Sequence, residues 1–217
     1  MNRVVFCSVC LVLLVCISCS LNPPAETASP SSDIPGVWSP STELFSVQGD
    51  GTTLFLLNDS QFEMENGYTF WTQNLNETVD IIQFGTVMKK TYGNSSAGFG
   101  IVFRCSEVDG SSYLLAMLIN TLGAYTIGKV KDGQFTFIQE WQSSRNLKRG
   151  YGVDNCIEVR YEQQEAVYVI FINGQEEKRF MDAYEPVLTG NGCGYAVVIA
   201  PNEYLTTNKV EVHFKPL

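Results

Sequence analysis

Catalysis needs groups that give or take a proton, and this chain offers few of them at useful spacing. Acidic residues outnumber basic ones by 23 to 14, but they are scattered. Glycosidic-bond cleavage requires two carboxyl groups facing each other, about 5–5.5 Å apart when configuration is retained. The nearest string, Glu107-Val108-Asp109, runs directly into Gly110 and reads as a solvated hairpin tip. Glu176-Glu177, and Glu162 with Glu165, flank other turns and read as surface charge. His213 is the single histidine, and it alternates with Glu211 and Lys215 on the last strand. A Ser-His-Asp triad or a Cys-His pair would have to be built on that one solvated imidazole. No glycine-rich loop leads into a helix, so nucleotide-binding motifs are absent. With formal charge −9 and no basic run longer than a pair such as Lys148-Arg149, the chain is not built to hold nucleic acid.

Binding chemistry is better represented. Sugar sites stack aromatic rings on the apolar face of a pyranose and grip its hydroxyls with planar polar groups. The available rings are Trp38, Trp71, Trp141, Tyr68, Tyr92, Tyr125 and Tyr151. Trp141 ends a strand beside Glu140, and Tyr151 lies in the glycine-flanked loop that follows. Arg104 ends the strand GFGIVF, expected on the face opposite Phe103, where Gly98 and Gly100 leave room for a ligand. The candidate ligand-binding set is therefore Arg104, Trp71, Trp141, Glu140, Tyr92 and Tyr151. Calcium is the one candidate cofactor, with Asp109 and Asp182 as its oxygens. A calcium cage takes about six to eight oxygen ligands, however, and no acidic cluster supplies them.

The N-terminus speaks to location. Arg3 precedes an apolar run from Val4 to Ile17, too short for a comfortable membrane span and shaped like an export signal. Four of the seven cysteines fall in the first nineteen residues, and Cys7, Cys10 and Cys16 read as small apolar filler. Ile17-Ser18-Cys19 resembles the relaxed lipobox of bacterial lipoproteins, departing from the usual form in having Cys16 where leucine is common. That resemblance implies an acylated Cys19, removal of residues 1–18 and a lipid-anchored protein at a bacterial cell envelope. Ordinary cleavage and free secretion is the alternative. Residues 19–33, rich in Ser and Pro, are expected to be a flexible tether, leaving 34–217 as one domain. Asn58, Asn76 and Asn94 head N-x-S/T triplets that are chance matches in a bacterial chain.

Along the domain the side-chain pattern has period two. Phe99, Ile101 and Phe103 share a face; Ile157, Val159 and Tyr161 alternate with Glu158 and Arg160; Val210, Val212 and Phe214 alternate with Glu211 and His213. Asp109-Gly110, Asp132-Gly133 and Asn173-Gly174 mark tight hairpins. Strand after strand without helical periodicity argues for a β-sandwich or barrel. In an oxidising compartment Cys105, Cys156 and Cys193 allow one disulfide. Cys105–Cys193 is the pair expected if their strands lie side by side, with three buried thiols as the alternative.

The succession GFGIVFR, YLLAMLI, AYTIGKV, NCIEV, FING, FMD and GCGY resembles the concanavalin A-like lectin/glucanase superfamily, in the flavour of laminin-G-like and 3-keto-disaccharide hydrolase-type domains. The likeness runs from about residue 55 to the C-terminus. It implies an all-β, two-sheet antiparallel jelly roll with a concave face or rim loops available to ligands. Laminarinase-type members carry their acids on one strand as E-x-D-x-x-E or E-x-D-x-E, and no such string occurs here. The role expected is non-catalytic binding of a glycan or surface component. The alternatives are a glycan-active hydrolase or lyase on the same fold, and a structural or adhesive protein-binding module.

Overall fold

The computed structural model describes residues 34, 37–58, 67–73, 83–183, 185–200 and 209–217. The signal segment, Cys19, the tether and Asn76 lie outside the described residues. The first five strands are β1 (Trp38–Pro40), β2 (Phe45–Val47), β3 (Thr53–Leu57), β4 (Tyr68–Gln73) and β5 (Gln83–Tyr92). Next come β6 (Phe99–Val108), β7 (Ser111–Ile119), β8 (Ala124–Lys131), β9 (Gln134–Ser143) and β10 (Asn155–Glu162). The last four are β11 (Val167–Ile172), β12 (Gln175–Phe180), β13 (Gly192–Ile199) and β14 (Val210–Pro216). They form two seven-stranded sheets, sheet A in the order β1-β4-β13-β6-β7-β8-β9 and sheet B in the order β12-β11-β10-β5-β14-β3-β2. Among the described residues every strand pairing is antiparallel except β1 with β4.

The hairpins follow from local chemistry. Asp109-Gly110, Asp132-Gly133 and Asn173-Gly174 all have positive φ at both residues, from 45° to 79°. That is the primed-turn geometry whose twist matches the flanking strands, and Asp or Asn before Gly tolerates it best. Between the sheets lies the main core, where Phe55, Phe103, Leu115, Met117, Ile157, Ile170, Tyr195 and Phe214 are almost wholly buried. The period-two alternation puts these side chains inward; Val210, Val212 and Phe214 are each fully buried.

Sheet A carries a second buried layer on the face turned away from sheet B. Val102, Leu114, Ala116, Leu118, Val130, Ala196 and Val198 form it, which is why β6, β7, β8 and β13 read as apolar on both faces. Trp38, Trp71, Phe135 and Trp141 pack on this layer. β1 makes the covering possible. On one side it pairs with β4; on the other, the Trp38 N–H donates to the Gly133 carbonyl at the tip of the β8–β9 hairpin (3.1 Å). Trp38 also stacks on Phe135 of β9, with ring centroids 5.4 Å apart and planes 10° from parallel. The two edges of sheet A are thus drawn together, and the sheet curls over its own outer face.

Two expectations require correction. Cys105 and Cys193 do lie on neighbouring strands, but Cys105 aligns with Gly192 and Cys193 with Phe103. Cys193 points into the inter-sheet core and Cys105 toward the outer layer, so their thiols stand on opposite faces and no disulfide joins them. Asp182 is not a solvent-facing calcium ligand. Its side chain is 2% exposed, and both its oxygens lie 3.0 Å from the buried Lys129 ammonium. Lys129 also donates to the Pro186 carbonyl, and Asp182 accepts the Leu188 N–H. The lysine stands where a metal would have to sit. Asp109 is the exposed first residue of its turn, and no group of metal-ligating side chains occurs among the described residues.

Candidate functional site

The curl of sheet A leaves a pocket of about 390 Å³ at the end of the sheet where β6 meets β7. Trp38 and Pro40 of β1 form one wall, Trp71 and Gln73 of β4 a second, and Cys105, Ser106 and Glu107 of β6 a third. Ser112, Tyr113, Leu114, Val130 and Gly133 complete the lining among the described residues. Trp71 is half-buried, while Gln73, Glu107 and Ser112 are exposed. The wall formed by β4 follows from strand periodicity: Trp71 and Gln73 are two residues apart and so share a face. Gln73 also passes close over Gly192, where a Cβ would stand 2.5 Å from its Nε2.

The hairpin tips that frame the mouth are tied together. The Ser112 N–H donates to Asp132 Oδ1 and the Asp132 N–H to the Ser112 carbonyl, both at 2.9 Å. Those bonds set the β8–β9 turn where Gly133 can accept the Trp38 N–H. Gly133 has φ +79°, and a Cβ there would meet the Trp38 carbonyl oxygen at 3.1 Å. A side chain is thus disfavoured both by backbone conformation and by the approach of β1.

Among the described residues Glu107 is the single carboxylate in the lining, and no lysine, arginine or histidine joins it. Burial pushes the Cys105 thiol up to about 12, with the nearby Cys193 adding to the effect, so it stays protonated and is a poor nucleophile. Nothing in the described lining forms the opposed acid pair that glycoside hydrolysis uses. What the pocket offers is an indole wall beside amide, hydroxyl and carboxylate groups suited to sugar hydroxyls.

Of the residues expected at a ligand site, Trp71 is the one that lines this pocket. Arg104 is turned away. It sits at a register break between Phe103 and Ser106 with φ +57°, which rotates it to the side of Phe103. There its Nε donates to the Tyr168 hydroxyl (2.9 Å) and its guanidinium lies 4.6 Å from the Tyr161 ring centre. Trp141 packs on the opposite end of the curled face, over Gly98: a Cβ on Gly98 would be 3.1 Å from its ring. Gly100 meets the β7 backbone, with Met117 O at 1.9 Å from a notional Cβ. The room expected beside these glycines is occupied by the chain itself. Glu140 is exposed on β9, and Tyr92 and Tyr151 are exposed near Gly93. Tyr92 lies beneath Lys209, and the Tyr151 hydroxyl donates to the Gly93 carbonyl. The expected set is thus spread over separate places. Gln73, Ser106, Glu107 and Ser112 were not expected at a site; the spacing of Gln73 from Trp71, and of Glu107 from Cys105, is the signal that places each pair on one face.

A larger cavity of about 520 Å³ lies on the outer face of sheet B, lined by Gln48, Asp50, Thr52, Lys89, Asp154, His213 and Lys215 among others. Its described lining contains no Trp, Tyr or Phe ring to stack on a sugar, and its polar groups are engaged locally: Lys89 pairs with Asp154 at 3.8 Å, and His213 Nε2 lies 2.9 Å from Glu211 Oε1. Volume alone favours this cavity. Chemistry favours the Trp71 pocket.

No protein-family profile matches the chain, and no curated protein matches its sequence. Solved structures do resemble it in shape. One is a glycosidic hydrolase, with TM-score 0.55 and 7% identity over 86% of this chain and 84% of that one. Another is a Bacillus licheniformis β-glucanase, with TM-score 0.53 and 8% identity over 86% of each chain. The fold is the concanavalin A-like jelly roll. At such identities the likeness concerns the scaffold, and activity must be argued from side chains.

Proposed function

We propose that this domain is a non-catalytic glycan-recognition module, held at a bacterial cell envelope by an acylated Cys19. The observation that carries the reading is Trp71, a half-buried indole on the wall of a pocket edged by Gln73, Ser106, Glu107 and Ser112. An aromatic wall with a few convergent polar groups is the usual form of a small-molecule site. The lone carboxylate speaks for binding over hydrolysis, because the two-carboxyl mechanism has no second member among the described lining residues. The glycosidic hydrolase and the β-glucanase lend support only as proteins that set glycan chemistry on the same scaffold.

The test is a titration of intrinsic tryptophan fluorescence with a panel of neutral and acidic oligosaccharides, repeated on Trp71→Ala. Saturable change with at least one sugar, lost in the variant, supports the reading. Release of reducing ends during the titration would replace it with the hydrolase alternative. Labelled palmitate entering the native protein but not Cys19→Ala supports the anchor; equal labelling, or none, removes it.

A further inference from the structure

The pocket has a closed back. Trp38, Leu114 and Val130 belong both to its lining and to the packed outer layer. Behind them Val102, Ala116 and Leu118 are fully buried. The roof is main chain, since β1 bridges β4 and the Gly133 carbonyl. A glycan laid lengthwise along an open concave sheet would cross Gly98 and Gly128. Both places are filled, Gly98 by Trp141 and Gly128 by Phe135, whose ring would stand 2.1 Å from an added Cβ. A polymer therefore has no path through. The volume, about 390 Å³, lies toward the small end of the roughly 300–1,000 Å³ of small-molecule sites.

We propose that the pocket receives the terminal residue of a neutral glycan, end first, and not an internal stretch of chain. This rests on the reading of Trp71 as a sugar-binding residue and specifies what that residue meets. Neutrality follows from the lining: among the described residues Glu107 is the only charged group there and would repel a uronate or sulfated sugar. Trp71 supplies the stacking face, Gln73 and Ser112 can exchange hydrogen bonds with hydroxyls of the end residue, and Glu107 can accept from one.

The experiment uses the full chain and linear neutral oligosaccharides in three forms: free, capped at the non-reducing end, and capped at the reducing end. Glucan, xylan and mannan fragments are the probes, with oligouronates for comparison. The proposal expects one cap to weaken binding by about tenfold or more, equivalent to roughly 1.4 kcal/mol, and the other to leave it unchanged. It also expects Glu107→Gln, an exposed change that should not disturb folding, to narrow the discrimination against oligouronates. Equal binding of all three forms would overturn end recognition while leaving Trp71 as a sugar site. Tighter binding of oligouronates than of neutral fragments would overturn neutrality. Absence of any sugar binding would remove the underlying reading, and this inference with it.

Discussion

Replacing Asp182 by alanine should be among the most damaging single changes in the molecule outside the hydrophobic core. The Lys129 and Asp182 side chains are 7% and 2% exposed, and the ammonium sits 3.0 Å from each carboxylate oxygen. Removing the carboxylate takes from Lys129 its charged partner, leaving neutral acceptors such as the Pro186 carbonyl, and deprives the Leu188 N–H of its acceptor. Breaking a buried pair from one side costs about 3–5 kcal/mol, because the remaining charge is dehydrated without compensation. In a domain of this size each kcal/mol lowers Tm by roughly 2–4 °C, so a loss of about 4 kcal/mol lowers it by roughly 8–16 °C. The double variant Lys129→Met/Asp182→Leu removes both charges and should recover most of the loss, leaving about 1–3 kcal/mol for the orphaned Leu188 amide. Scanning calorimetry of the native protein and the single and double variants measures these differences. If Asp182→Ala melts within about 2 °C of the native protein, the pair is not buried as described. If calcium raises the native Tm and loses that effect in Asp182→Ala, the residue is a metal ligand and the ion-pair argument fails.

Other consequences are equally open to measurement. Glu211 is opposed by burial, but hydrogen bonds from Lys209, His213 and Thr91 outweigh it and hold the carboxyl near 2, down from the ordinary 4.5. A lowered folded value stabilises above pH 4.5 and is lost as pH falls toward 2, so the urea midpoint of the native protein should converge on that of Glu211→Gln across that window; a gap that persists near pH 2 would refute this. Gly128→Ala places a Cβ against Phe135 and should cost about 1–3 kcal/mol, relieved when Phe135 is also replaced by alanine; additive losses in chemical denaturation would show that the two do not collide. Gly100→Ala drives a Cβ into the β7 backbone and should prevent soluble expression; a stable, soluble product would contradict the strand spacing. Cys105 should alkylate slowly at pH 8 in the native state and quickly in urea, and non-reducing peptide maps should contain no Cys105–Cys193 bridge.

Much of the sandwich is legible in the sequence because its signals are local. Alternation in Phe99-Ile101-Phe103 and in Val210-Val212-Phe214 reports which side chains face inward, and a primed turn is encoded by its own two residues, as at Asp132-Gly133. The short strands β1 and β2 give no such signal, since three residues are too few to show a period. The site was less legible. Arg104 was expected opposite Phe103, as strict alternation requires, but a bulge breaks the alternation there, and bulges arise from pairing with neighbouring strands. Asp182 carries no local mark of burial, because its partner Lys129 is distant in the chain.

The sequence by itself determined the β-class, the tight turns at Asp109-Gly110, Asp132-Gly133 and Asn173-Gly174, and the inward faces of Phe99-Ile101-Phe103, Ile157-Val159-Tyr161 and Val210-Val212-Phe214. All of that is written in residues two to four apart. Only the tertiary structure decided that sheet A curls shut, because the contacts responsible join Trp38 to Gly133 and Phe135 across most of the domain's first hundred residues. A hydrogen bond and a ring stack between such distant segments leave no periodicity to read, yet they decide which glycines stay open, which tryptophan lines the pocket and where a ligand has room.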